Sequence, residues 1–304
     1  MIRTGRTFLA ATAAVVALTA TATGCGTKVT GDNGAAPSAA GSGSAATGQA
    51  AELTPAALLK LAGEKTSAAK SAKVDAVTEV GAAKTSMKGA ISWDHGLQGE
   101  LTGTADAMAK AAAKFGGDGT FTARYLSDAM YINMGDGFAN QLGGAHWIKY
   151  DYANLAKTMG AAGEGLKNQL QNADPVASMQ ALIASGKVSK AGTERVNGVQ
   201  TTKYAGDLAA ADLTQAAAQG LTKEQVDGLQ RQFTTAGITT EHIEIWVTAD
   251  LLLVKQVQQF ATKAGQCTAT ASYSDYGTPV ATTPPSASDT MDFAQLLQSS
   301  MAGS

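Results

Sequence analysis

The sequence predicts an α+β domain built on one long antiparallel sheet of about ten or eleven strands, with helices before, within and after it. Three observations predict it. Period-two apolar segments follow one another from residue 73 to 150, each closed by Gly, Asp or Asn. A second set of alternating segments runs from 187 to 276, and stretches of helical periodicity stand between the two sets and at both ends.

The first element is a helix opened by Thr54 and Pro55, a good N-cap followed by a residue preset for the first turn. Leu58, Leu59, Leu61 and Ala62 give it an apolar face. Strands are expected at Lys73–Val80, Ser86–Trp93, Leu97–Thr104, Met108–Phe115, Thr120–Tyr125, Met130–Met134 and Ala145–Tyr150. Helices are expected at Asp151–Met159, Glu164–Asn172 and Pro175–Ser185, the last with Asp174 as N-cap and Gly186 just past its end. Lys187–Arg195 and Gln200–Asp207 flank Asn197-Gly198, the strongest short hairpin signal. Helical periodicity returns at Leu208–Gln219 and Lys223–Thr235. Strands follow at Glu241–Val247, Leu252–Phe260 and Gln266–Tyr276, then a helix at Asp289–Met301.

A sheet of this length accumulates twist of about 20–25° per strand and curls, which leaves a concave side for helices to fill or cover. In ADAMAKAAAKF the alternation would set Ala107, Ala109, Ala111, Ala113 and Phe115 on that side. Neighbouring strands add Ile91, Trp93, Phe121, Tyr125, Met130 and Ile132 in the same sense. Small residues set among Met and aromatics suit the lining of an apolar cavity. The expected ligand-contacting set is therefore Ile91, Trp93, Ala109, Ala111, Ala113, Phe115, Phe121, Tyr125, Met130 and Ile132. Close packing of helices over the alanines is the alternative.

The N-terminus carries a different message. Arg3 and Arg6 precede the uncharged stretch Phe8–Ala22, which is shorter than the roughly 20 residues a spanning helix needs. This is the pattern of a secretory signal peptide. Ala22-Thr23-Gly24-Cys25 resembles the lipobox of bacterial prolipoproteins, with small residues before the Cys and Ala22 where Leu is commonest. The resemblance implies cleavage before Cys25 and diacylglyceryl transfer to its sulfur. The expected organisation is a signal peptide over 1–24, a Gly/Ala/Ser/Thr-rich tether with lipidated Cys25 over 25–51, and one folded domain over 52–304. As a random coil the tether would reach roughly 25–30 Å.

The whole chain has a net charge of −2. Removing residues 1–24 takes two of the 23 Lys and Arg and none of the 25 Asp and Glu, leaving about −4. With no basic runs, nucleic acid is not an expected partner. Acylation of Cys25 leaves Cys267 without a partner for a disulfide, and its alternating context reads as a small buried strand residue.

The segments RYLSDAMYINMG (124–135), HWIKYD (146–151), AGTERVNGVQTTKYAGDL (191–208), EIWVTADLLLVKQVQQF (244–260) and YSDYGTPVATTPPSASD (273–289) resemble, in this order, those of the LppX/LprG-type lipoproteins of actinobacteria. These share the LolA/LolB lipoprotein-carrier fold. The resemblance covers about residues 51–300 and implies a strongly curved antiparallel half-barrel closed by helices on its concave side. It also implies an apolar cavity for acyl chains of lipids or lipoglycans outside the plasma membrane.

No catalytic constellation is expected. His95, His146 and His242 are dispersed; His242 and Glu244 share a strand face with no third ligand evident. Ser67-Ala-Ala-Lys70 matches S-x-x-K without a following K-T-G, and Gly160–Lys167 lacks the Lys-Ser/Thr ending of a P-loop. The sequence thus points to a non-enzymatic lipoprotein without cofactor or metal. It would be held at the extracytoplasmic face of the cell membrane and carry lipid or lipoglycan as a monomer. An envelope sensor or scaffold with a filled core, binding a protein partner, is the alternative.

Overall fold

In the computed structural model the described residues are 53–115, 117–160, 163, 167, 175–214 and 223–302. The expectations for residues 1–52 (signal peptide, Cys25, tether), for most of Glu164–Asn172, and for Asp174 lie outside them. The described chain forms one twelve-stranded, unclosed, curved sheet with seven α-helices, so the α+β class holds with slightly more strands than expected.

The helices are α1 (Pro55–Ala68), α2 (Asp106–Ala112), α3 (Asp136–Ala139), α4 (Tyr152–Met159), α5 (Ala177–Ala184), α6 (Lys223–Ala236) and α7 (Phe293–Ala302). The strands are β1 (Ser71–Val80), β2 (Ala83–Ser92), β3 (Gln98–Ala105), β4 (Thr120–Tyr125), β5 (Ala129–Asn133), β6 (Trp147–Asp151), β7 (Ser189–Val196), β8 (Val199–Ala209), β9 (Thr240–Thr248), β10 (Leu253–Thr262), β11 (Gly265–Ser274) and β12 (Thr290–Asp292). Their order is β12-β6-β5-β4-β3-β2-β1-β11-β10-β9-β8-β7. Two meanders, β1 to β6 and β7 to β11, meet where β1 pairs with β11.

Local chemistry explains the elements. The Thr54 hydroxyl accepts from Ala57 N at 3.2 Å and Pro55 occupies the first turn of α1. The β7–β8 hairpin turns on Asn197 (φ 51°) and Gly198 (φ 80°), the left-handed pair a two-residue hairpin loop requires. Asp151 caps α4 by accepting from Asn154 N at 3.2 Å.

Three expectations are corrected. Met108–Phe115 is not a strand: α2 covers its first part and a short 3₁₀ turn, Ala113–Phe115, follows. Alanine is the best helix former and a poor strand former, and an alternation written mostly in alanine has little burial contrast to hold it extended. Leu208 and Ala209 are the last residues of strand β8, and the helix expected from Leu208 is a 3₁₀ turn at Ala210–Thr214, with 215–219 outside the described residues. The C-terminal helix starts later than expected because Thr290–Asp292 first pairs in parallel with β6.

The sheet has an inner face under the helices and an outer face toward solvent. One apolar core joins them, with Leu59 and Ala62 of α1, Tyr152 and Leu155 of α4, Met179 and Leu182 of α5, and Leu229 and Phe233 of α6 against the inner face. At two glycines of β2 and β3 the facing strand leaves no room for a side chain. A Cβ at Gly89 would lie 2.0 Å from the Glu100 carbonyl oxygen, and one at Gly103 would lie 2.0 Å from the Ser86 carbonyl oxygen. Only glycine fits there. On the outer face, a strap over 277–289 crosses the sheet. Gly277 N donates to Ser71 O at 2.9 Å, Arg124 Nη1 donates to Thr283 O at 3.1 Å, and His146 N donates to Asp289 at 3.0 Å.

Gly89→Ala and Gly103→Ala should each lower stability by about 1–3 kcal/mol, read as a fall in the urea midpoint, because the added methyl meets a strand carbonyl. The strap should respond to pH. The Asp289 carboxylate, 2.6 Å from His146 Nδ1, holds the imidazolium so that the His146 pKa is raised. A raised histidine pKa contributes below the unfolded value and is lost as pH rises through the folded one. Hydrogen exchange over 286–292, corrected for intrinsic rate, should be slower at about pH 6 than at about pH 8, and Asp289→Asn should abolish the difference.

Candidate functional site

The inner face is laid out by register. One row of side chains runs across eight strands: Tyr204, Ile245, Gln256, Ala271, Ala76, Met87, Gly103 and Phe121. Its centre, Ala271–Ala76, is small, and both alanines are closed off from solvent at 2% and 3% exposure. The row beside it holds Tyr273, Val74, Gly89, Leu101, Ala123 and Ile132. The next holds Ala72, Ile91, Gly99, Tyr125 and Met130.

The structure therefore places Ile91, Phe121, Tyr125, Met130 and Ile132 together on the inner face, all buried in the main core. Trp93 lies just past β2 with its indole N–H donating to Ser67 O at 3.2 Å and its ring edge-on to Tyr276. Ala109 is half-buried on α2 and Ala113 is exposed on the following turn, so neither sits on a strand beside the others. The side chains of Ala111 and Phe115 lie outside the described set. The small residues that open the centre of the sheet are instead Ala76 and Ala271 in β1 and β11, with Gly89 and Gly103 beside them. Their signal was present in the sequence as alanines in register-compatible alternation, but only pairing shows that they meet.

Polar groups also occupy the inner face. Glu241 is buried at 2% exposure, in register with Leu208 and Phe260, and accepts from Gln258 Nε2 at 2.7 Å. Burial pushes its carboxyl up to about 7, partly offset by the Gln258 bond. Gln256 is equally buried and donates through Nε2 to Tyr273 Oη at 3.2 Å. Cys267, free and buried, stands one pair away from Glu241 through Phe260; burial first and the Glu241 charge second raise its thiol pKa.

The outer face carries ion pairs rather than a reaction centre. Arg124 grips Glu100 at 2.6 and 2.8 Å and lies over the Trp147 ring; Lys203 and Lys255 flank Trp246, whose indole donates to Glu194. His242 pairs with Asp207 at 2.7 Å. Lys70 of the S-x-x-K stretch pairs with Asp94 at 2.9 Å. An open groove of about 580 Å³ runs across the same face between rows of Ser, Thr and Asn side chains, with Asp75 and Lys88 at its charged end. Among the described residues no three His, Cys, Asp or Glu side chains gather as a metal-binding group.

Two relatives decide the family. A 31.2 kDa uncharacterised protein from the rplA–rplJ intergenic region of Streptomyces griseus is 45% identical over 251 residues, covering 81% of this chain and 82% of its own. The chain belongs to this family. A candidate lipoprotein of Streptomyces coelicolor is 36% identical over 241 residues, covering 77% of this chain and 73% of its own. No family model matches. Solved structures similar to this member of the family include LprF of Mycobacterium bovis, with TM-score 0.40, 14% identity and coverage of 76% of this chain and 97% of that one. The lipoprotein LppX of Mycobacterium tuberculosis is similar at TM-score 0.40 and 14% identity, over 75% and 98% of the two chains.

Glu241→Gln tests the buried carboxyl. A raised carboxyl pKa means the native state holds a proton that the unfolded chain releases, so wild-type stability should fall as pH rises from about 4.5 to about 7 and then level off. The variant should lose that slope and gain up to roughly 3 kcal/mol at pH 8 while matching wild type near pH 4, in urea titrations across the range.

Proposed function

We propose that this chain is a membrane-anchored extracytoplasmic lipoprotein that holds acyl chains of a lipid or lipoglycan between the inner face of its sheet and the covering helices. The observation that carries the reading is the row whose centre is Ala271 and Ala76, small buried residues that share one apolar core with side chains of α1, α4, α5 and α6. Acyl chains inserted there would gain about 0.8 kcal/mol per methylene removed from water, which offsets much of the cost of leaving a bilayer. The coat is suited to movement, since α4 and α5 have eight residues each and are held mainly by apolar contacts.

Support for the anchor comes from the lipobox-like Ala22–Cys25 and from the S. coelicolor relative that bears a lipoprotein name. A tether of about 25–30 Å would keep the domain beside the membrane that supplies its ligand. The chemistry of the site supports binding, for the inner face is mostly apolar and its thiol, Cys267, has its pKa raised by burial and then by the Glu241 charge, which disfavours the thiolate a nucleophile needs.

A second reading, a filled-core envelope module that binds a protein partner, is favoured by the same alanines being closed off in this structure. One substitution separates the two. In a carrier, Ala76→Leu occupies ligand space: native mass spectrometry of the domain purified from its own membrane should show acyl lipid on wild type and its loss from a variant of unchanged urea midpoint. A filled core predicts no lipid on either protein and a loss of about 1–3 kcal/mol from overpacking.

A further inference from the structure

Beside the small centre of the inner face, polar atoms are buried without partners among the described residues. Gln256 neighbours Ala271 in the same row, and its Oε1 has no hydrogen-bond partner although the side chain is 2% exposed. Thr78 lies two residues along β1 from Ala76, on the same face, and its Oγ1 is likewise buried and unpartnered. A third such atom, Gln232 Oε1, comes from α6, whose Leu229 and Phe233 belong to the same core. The next row adds Gln258, bonded to Glu241, in register with Ala269, which pairs with Thr78. An unmade hydrogen bond at a buried polar group costs about 1–3 kcal/mol, and such groups in native proteins are as a rule paired.

The atoms specify what would pair with them. Of the four such atoms among the described residues, the two amide oxygens only accept, and Thr78 Oγ1 and Tyr152 Oη are hydroxyls, of which Thr78 Oγ1 lies beside the small centre. A partner must therefore bring O–H or N–H donors. Lys, Arg and His are absent from the buried polar side chains of the described residues, and the one buried carboxyl among them, Glu241, is acidic. A phosphate or carboxylate would find neither a donor array nor a countercharge there.

Resting on the acyl-binding reading above, we infer that Gln256 and Thr78 form a head-group site, beside Ala271 and Ala76, for an uncharged hydroxyl-bearing lipid such as a partial acylglycerol or a glycosylated acylglycerol. The acyl chains then extend over the alanine centre, and the head donates its hydroxyls to the Gln256 amide oxygen and the Thr78 hydroxyl. Selectivity is set by the penalty on heads that cannot donate.

The test displaces a fluorescent acyl probe from the domain with four ligands of equal chain length: monooctanoylglycerol, trioctanoylglycerol, dioctanoylphosphatidylglycerol and octanoate. Monooctanoylglycerol should compete at least about tenfold better than the fully esterified and the anionic ligands. Gln256→Leu and the near-isosteric Thr78→Val should each cut that preference several-fold and leave trioctanoylglycerol unaffected. Equal competition by all four, or a preference that survives both substitutions, overturns the head-group site while leaving acyl binding in place. Failure of every ligand to displace a bound probe overturns the head-group site, and failure of the probe to bind at all overturns acyl binding and the site with it.

Discussion

The architecture depends on the close approach of β2 and β3 at Gly89 and Gly103. There the backbone of one strand occupies the space a side chain would take on the other. That contact lets a twelve-stranded sheet coil without closing, and a coiled sheet has an inner face that must be covered. The covering helices, eight to fourteen residues long, come from four places along the chain, and no single one buries the face alone. The result is a core in which the sheet is continuous and the coat is in pieces.

The inner face is also chemically graded. Toward β4 and β5 its side chains are hydrophobic, with Tyr125, Met130 and Ile132 among the largest. Toward β9 and β10 it carries Glu241, Gln256 and Gln258. The alanines of β1 and β11 sit between these ends. A gradient from apolar to polar along one enclosed face matches the two ends of an amphiphile. It also explains why a carboxyl is tolerated there, since a neutral Glu241 can keep its bond to Gln258 without a buried charge.

Much of the fold was legible in the sequence because its signals are local. Asn197-Gly198 fixes a hairpin, Thr54-Pro55 starts a helix, and period-two alternation written in large apolar residues placed Ile91, Phe121, Tyr125, Met130 and Ile132 correctly on one face. Alternation written in alanine did not carry the same information. In Met108–Phe115 intrinsic helix preference won, and three-residue β12 is too short to have a pattern at all. The polar inner-face residues were illegible for another reason. In LVKQVQQFAT, Gln256 and Gln258 look solvent-facing, yet the pairing of β10 with β9 and β11 turns both inward. Pairing across the β1–β11 seam joins residues nearly two hundred positions apart, so that Ala76 meets Ala271 could be known only from the fold.

The central claim is that acyl chains lie on the alanine centre of the inner face. The most direct measurement is isotope-filtered NMR of the domain bound to a ¹³C-labelled acylglycerol. The account predicts nuclear Overhauser effects from acyl methylenes to the methyl groups of Ala76 and Ala271. Contacts confined to outer-face residues such as Thr102 and Thr122, or none at all, would contradict it.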